Sequence, residues 1–211
     1  MLDFVKFQKF YGNFSALTIN EFTLPPGVYW IKGVNGSGKS TLLKSVAGML
    51  AFNGDILLDD AISIKKHPVA YRKLVNFAEA EPLFPEFLTG SEMIRLFAAA
   101  KDAPTGQETE FINSMQMQSY MDKPVGTYSS GMLKKLSLVL AFLGRPRLIL
   151  LDEPLITIDT ASLKILYSWI HRLHLEEGVS FMLTSHQTFD ETDRLKVTEL
   201  MIDHQNLQFS N

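Results

Sequence analysis

Cysteine is absent from the 211 residues of this sequence. That excludes disulfides and thiolate zinc sites, and it fits a reducing compartment. Long apolar runs are absent too. A membrane helix needs roughly 18 uninterrupted apolar residues, whereas the longest candidate, 136–143, is far shorter and follows Lys134 and Lys135. Residues 1–11 mix Asp3, Lys6 and Lys9 with apolar neighbours and form no signal-peptide core. A soluble chain is expected, so any membrane role has to come through a partner. Neither sign of charge dominates. There are 20 basic and 23 acidic residues, for a net charge of −3, which gives no overall pull toward nucleic acid or anionic lipid. Repeats, low-complexity tracts and long linkers are missing as well. Nothing in the pattern invites a division into independent domains.

What the sequence does have is material for a core, with apolar residues at 46 %, an ordinary share for a globular protein. Short strands are predicted over 3–8 and 14–20, where aromatic and β-branched residues lie between turn signals such as Gly12-Asn13. Pro25-Pro26-Gly27 is a turn, and 28–32 is a buried strand feeding a glycine loop. Leu42, Leu43, Val46 and Leu50 fall at helical spacing and predict a helix over 39–50. Strands follow near 54–58 and 73–78. From 89 to about 144 the pattern is helical, broken by the polar loop 101–106 and by Lys123-Pro124. Leu148–Leu151 then reads as a buried strand, 160–174 as a helix, 179–184 as a strand, and 196–203 and 206–209 as terminal strands. The expected class is α/β: a sheet-rich core over about 1–88 and 145–211, with a helical lobe inserted over about 89–144.

The loop between that third strand and its helix carries the first chemistry. Gly33-Val34-Asn35-Gly36-Ser37-Gly38-Lys39-Ser40 fits G-x-x-x-x-G-K-[ST] in the strand–loop–helix context the motif requires. Glycines let backbone N–H groups turn inward around a β-phosphate, where a Cβ would clash. The helix beginning at Lys39, with Ser40 and Thr41 in its first turn, points its positive end at the same anion. Lys39 adds a full charge on the β- and γ-phosphates, and the Ser40 hydroxyl can ligand Mg²⁺. These residues predict a nucleotide site.

A second motif, Leu148-Ile149-Leu150-Leu151-Asp152-Glu153-Pro154, is an apolar strand that ends in an acidic pair. In a parallel sheet the carboxyl end of such a strand lies beside the phosphate loop. Asp152 can there hold Mg²⁺ through water, and Glu153 can reach an attacking water as general base. Between the two motifs, Tyr128-Ser129-Ser130-Gly131-Met132 opens a helix whose apolar face carries Leu133, Leu136, Val139, Leu140 and Leu143. Ser129 is a good N-cap residue.

With these residues in order, the chain resembles the ABC-type ATPases over nearly its whole length. The stretch 128–159 is similar to that family's signature segment, acidic strand and D-loop. Asp159 stands at the D-loop position of Ile156-Thr157-Ile158-Asp159. His186, in Leu183-Thr184-Ser185-His186, matches the switch histidine that orients the hydrolytic water. Tyr11 matches the aromatic that stacks on adenine, although an early-strand aromatic taken alone would be read as core. The resemblance implies a P-loop NTPase core of mixed sheet, an antiparallel β subdomain and an inserted α-helical lobe, forming one domain over 1–211. It also implies ATP and Mg²⁺, and a homodimer or heterodimer in which each ATP lies between one protomer's phosphate loop and the other's Ser129 and Gly131, with Asp159 alongside. A separate integral-membrane permease completes the assembly, which sits on the cytoplasmic face of the membrane and involves no nucleic acid. The single-cassette form resembles exporters whose permease is a separate chain.

Two departures from the family stand out. Where the family places a Q-loop glutamine near Mg²⁺, the sequence has Phe77-Ala78-Glu79-Ala80-Glu81, so either Glu79 or Ala80 takes the position. A carboxylate would bind Mg²⁺ more strongly than an amide, yet it adds negative charge beside the phosphates. The signature, usually L-S-G-G-Q, has Ser130 for its first glycine and Met132 for its glutamine, so slow or partner-dependent hydrolysis is expected. Phe84 and Phe87, in the apolar run 82–88, either anchor a helix of the membrane subunit or pack inward. Met115, Met117 and Met121 read as packing. Other nucleotide-site classes fit less well. A repair or chromosome ATPase needs a long coiled coil, and 42–128 holds no sustained heptads. Translation-type factors carry two such cassettes, and a nucleotide kinase would leave Ser129, Asp159 and His186 without a role. A partner that binds ATP without hydrolysing it would have no need of Glu153.

Overall fold

Every side chain of the strand Leu148–Leu151 is buried, because the strand feeds two cores at once. Ile149 and Leu151 enter one core and Leu148 and Leu150 the other, following the period-two alternation of a strand covered on both faces. The computed structural model describes residues 1–185 and 196–210.

In chain order the elements begin with β1 (Leu2–Tyr11), β2 (Phe14–Leu24), β3 (Val28–Lys32), α1 (Lys39–Val46), β4 (Asn53–Leu58) and β5 (Ile62–Ser63). Then come α2 (Pro68–Leu74), β6 (Val75–Ala78), α3 (Gly90–Ala100), α4 (Gln107–Ser114), α5 (Ser130–Ala141) and β7 (Leu148–Leu151). α6 (Thr160–Glu177), β8 (Ser180–Thr184), β9 (Val197–Asp203) and β10 (Asn206–Phe209) close the series.

Two sheets result. One is antiparallel, in the order β2-β1-β4-β5; the other has six strands, in the order β10-β9-β3-β8-β7-β6. β9, β3, β8, β7 and β6 run parallel, and β10 returns antiparallel to β9. This is the expected α/β class, with a mixed sheet, an antiparallel sheet and helices inserted between β6 and β7.

The antiparallel sheet and α1 pack on one face of the mixed sheet through Phe4, Phe7, Leu17, Leu42 and Leu43. The helical segment covers the other face, where Phe111 and Phe142 meet Trp169, and Phe142 also meets Phe181. Met115, Met117 and Met121 are buried in that second core, as read. Two fastenings join the inserted helices to the sheet. Buried Asn76, on β6, donates to the carbonyls of Ala141 and Leu143 at 2.8 Å each. Lys101, just after α3, donates to the carbonyls of Arg72 and Val75, and burial pushes its ammonium down to about 8.

The differences from expectation are local. Residues 68–74 form a helix that the strand prediction near 73–78 partly overran; Pro68 in its first turn was the available signal. α1 stops at Val46 rather than running to 50, because the chain turns at Gly48 with a φ of 73°. α6 runs past 174 to Glu177 and ends on the left-handed Gly178. Among the described residues, no helix is long and apolar enough to cross a membrane.

Candidate active site

The parallel strands β3, β7 and β8 end side by side, so their carboxyl-terminal loops share one edge of the sheet. From β3 the chain enters the glycine loop. Gly38 has a φ of 106°, and a Cβ built there would lie 3.1 Å from Leu17 on β2, so another residue would be both strained and crowded. Gly38 caps α1 without a side-chain bond, and no acidic residue stands in the first turn. The helix's first N–H groups and positive dipole end are therefore left for an external anion. Lys39 is buried, and its Nζ donates to the carbonyls of Gly33 at 2.7 Å and Val34 at 3.2 Å. Asn35, Gly36 and Ser37 form the crown of this loop between β3 and α1.

From β7 comes the acidic pair. Ser40 Oγ donates to Asp152 Oδ1 at 3.0 Å, and Thr184 Oγ1, at the end of β8, donates to the same oxygen at 2.7 Å. Thr184 Oγ1 in turn accepts the N–H of Glu153 at 3.0 Å. Glu153 is buried and has a φ of 45°, in the left-handed region that residues with a Cβ seldom adopt. Such a conformation persists only where the surroundings over-determine it, and it concentrates at functional sites.

Glu79 follows β6. Its carboxylate pairs with Lys44 Nζ of α1 at 2.9 Å, and the hydrogen bond that Lys44 donates to Glu79, with the field of Asp152 behind it, raises the Lys44 pKa above the ordinary lysine value. This pairing offsets the extra negative charge that a carboxylate brings to the position. The adjoining carbonyls of Glu79 and Ala80 both accept from Lys134. Lys134 lies on α5 with no exposed surface, and burial pushes its ammonium down to about 8 against the pull of Asp152, Glu153 and Glu79.

Tyr11 lies half-exposed beside α1, its Oη 3.4 Å from Thr41 Oγ1, with Lys9 Nζ 4.7 Å from the ring centroid. Ser129 caps α5 by accepting the Met132 N–H at 3.3 Å and is exposed. Gly131, in the first turn of α5, lets the Thr157 carbonyl approach to 3.0 Å from where a Cβ would stand. Asp159 caps α6, accepting from Ser162 N and Oγ, and pairs with Lys135 of α5 at 3.0 Å. The Ser162 backbone bond first, then Lys135, hold its carboxyl well below the usual carboxylate range. Its oxygens are thus engaged within the chain, tying the segment after Glu153 to the signature helix. His186 lies outside the described residues.

The run 82–88 divides. Phe84 is partly buried and packs against the core, whereas Leu83 and Phe87 are exposed. With Phe77, Met49 and Phe97, Phe84 and Leu83 line a cavity of about 430 Å³. Sequence reasoning missed three polar residues of the site: Lys44, Lys134 and Thr184. The available signal was weak, a polar residue closing the apolar strand 180–184 and lysines on helices already assigned.

Mg²⁺ would find a fitting donor set here. Ser40 and Asp152 supply two oxygens, 3.0 Å apart, at the end of the glycine loop. That suits a metal held partly by protein and partly by phosphates and water.

A family model described as "ABC transporter" matches residues 17–156. The chain is 33 % identical over 169 residues to the human protein named phospholipid-transporting ATPase ABCA7, covering 77 % of this chain but only 8 % of that much longer one. It is 32 % identical over 188 residues to the cytochrome c biogenesis ATP-binding export protein CcmA of Legionella pneumophila (strain Lens), covering 89 % of this chain and 93 % of CcmA. Among solved structures, the fold is similar to the dimeric post-hydrolysis state of the ATP-binding cassette MJ0796 bound to ADP and Pi. The TM-score is 0.83 at 18 % identity, over 100 % of this chain and 98 % of that one.

Proposed function

The chain belongs to the ABC transporter family, and from that premise we propose that it is the ATP-hydrolysing subunit of a transporter, acting as one half of an ATP-sandwiching dimer. The observation that carries this reading is the bond from Ser40 to Asp152, which joins the phosphate loop to the strand bearing Glu153. In the proposed reaction Lys39 and the amino end of α1 bind the β- and γ-phosphates of ATP. Glu153 accepts the proton of the attacking water, and His186 orients that water. Ser40 and Asp152 would hold Mg²⁺, with Glu79 close by; the ion supplies neutralising charge on the phosphates. Tyr11 stacks on adenine, with Asn35, Gly36, Ser37, Gly38 and Thr41 completing the cradle.

The other side of each nucleotide comes from the partner protomer, homologous or identical. Exposed Ser129 at the positive end of α5 suits a neighbour's γ-phosphate, with Gly131 and Asp159 beside it. The core lobe and the helical lobe together make one domain over 1–211. A separate membrane permease follows the dimer's opening and closing, which places the chain at the cytoplasmic face of a membrane; the near-neutral charge supports no nucleic-acid role. The similarity to CcmA, named as an export protein, supports export as the direction.

Ser129→Asp tests the dimer. Aspartate still caps a helix, but it sets a negative charge against the incoming triphosphate. Combined with Glu153→Gln, it is expected to abolish ATP-dependent dimer formation on a sizing column while a labelled ATP analogue still binds each chain. Undiminished dimerisation would remove Ser129 from the site.

Glu79→Gln tests the Q-loop placement. Because Lys44 already balances the carboxylate, the variant is expected to keep turnover within a few-fold, with little change in the Mg²⁺ concentration that supports half the maximal rate. Complete loss of activity would count against the placement.

A further inference from the structure

The peptide group joining Asp152 to Glu153 is held at both ends. Its N–H donates to Thr184 Oγ1 at 3.0 Å, and its carbonyl accepts from Lys134 Nζ at 3.0 Å. The other donors of the same ammonium go to the carbonyls of Glu79 at 2.8 Å and Ala80 at 3.1 Å. An ammonium has three donors, and all three are spent on main-chain oxygens of two loops at the site. From these contacts we infer that Lys134 is a positioning residue for hydrolysis: it sets the peptide plane from which Glu153 projects and locks it to the segment after β6.

The physical case starts from cost. A charged amine with no exposed surface is an expensive way to fill space, since an apolar chain such as methionine would pack there without giving up hydration. The charge is useful only for what it grips. φ of Glu153 is rotation about the bond leaving the clamped peptide, and at 45° it sits where a side chain with a Cβ is not held by its own preference. Thr184 and Lys134 fix the two edges of that peptide, so a turn of its plane, the coupled change of ψ at Asp152 and φ at Glu153, would break one bond or the other. The Glu153 carboxylate rides at the end of this lever.

Lys134 also lies on the helix that Ser129 caps. Asn76 fastens the far end of that helix to β6, and Lys134 fastens its middle to the loops that follow β6 and β7. On the dimer reading proposed above, on which this inference rests, a displacement of α5 at the partner's nucleotide is passed to the chain's own Glu153.

The test is steady-state ATP hydrolysis by the full-length chain and its Lys134→Met variant, with circular dichroism as the folding control. A general base misplaced by about 1 Å costs on the order of 10²-fold in rate, so kcat is expected to fall about that far while the KM for ATP stays within about threefold. Lys134→Arg, which keeps charge and donors, is expected to recover most of the loss. In the Glu153→Gln background, Lys134→Met is expected to leave ATP-dependent dimerisation intact. A kcat within about threefold of native, or a KM that rises in step with the fall in kcat, overturns the inference. If Lys134→Met does not fold, Lys134→Gln takes its place, and failure of both to fold marks the lysine as structural only, which overturns it equally. A native chain with no ATPase activity would sink the functional reading and this inference together. A hydrolysing chain indifferent to Lys134→Met would sink the inference alone.

Discussion

Glu153→Gln is expected to lower steady-state ATP hydrolysis by about 10²- to 10⁴-fold, the usual cost of deleting a general base, and to trap a dimer that forms only with ATP. The amide is nearly the same size as the carboxylate, and the main-chain bond to Thr184 does not depend on the side chain, so the local frame survives. What is lost, on the proposed mechanism, is the proton acceptor for the attacking water. The negative charge facing the phosphates is lost too, and that favours the closed state. The check is a sizing column run with and without ATP, beside a phosphate-release assay. Residual turnover above about a tenth of native would move the base elsewhere, since that is far less than the loss general-base removal brings. His186 would then be the next residue to examine.

Lys39→Ala is expected to weaken ATP binding by about 10- to 10²-fold, the range that corresponds to losing a hydrogen bond to a charged group worth about 1.5–3 kcal/mol. The lysine already holds two carbonyls of its own loop, and exchanging these for phosphate oxygens keeps the net gain below the full strength of an ion pair. On the proposed reading its reach extends to the γ-phosphate, where charge shifts during transfer, so the loss in kcat/KM is expected to exceed the loss in affinity. Titration calorimetry with ATP and with ADP separates the two, and ADP should suffer less. Equal affinity of native and variant for ATP would mean that the glycine loop is not the phosphate site.

Both experiments bear on residues that could be read directly from the chain, and the reason is locality. The phosphate loop is a contiguous octet bounded by an apolar strand and an amphipathic helix, so motif and context lie within some twenty residues of sequence. The acidic pair is written the same way, at the end of four apolar residues. Ser129 was legible as a cap because capping is a bond to the third residue onward, and it makes that bond; that Asp159 also caps a helix came only from the structure. Element boundaries failed where local signals were ambiguous, as over 68–74, where Pro68 starts a helix beside a strand-like run.

The division between sequence and structure follows the range of the forces. On its own, the sequence determined the α/β class, most of the strands and helices in their order, the glycine loop and the acidic pair, because periodicity and short motifs encode local backbone states and burial. Only the tertiary structure decided that Lys44 neutralises Glu79, that Thr184 bridges Asp152 and Glu153, that Lys134 grips three main-chain oxygens, and that Phe84 turns inward while Phe87 does not. Those contacts join side chains from different strands and helices, and no spacing along the chain specifies which of 20 basic residues will be driven into a given cluster of carbonyls. Packing makes that choice, since a buried charge survives only where its geometry is fully satisfied.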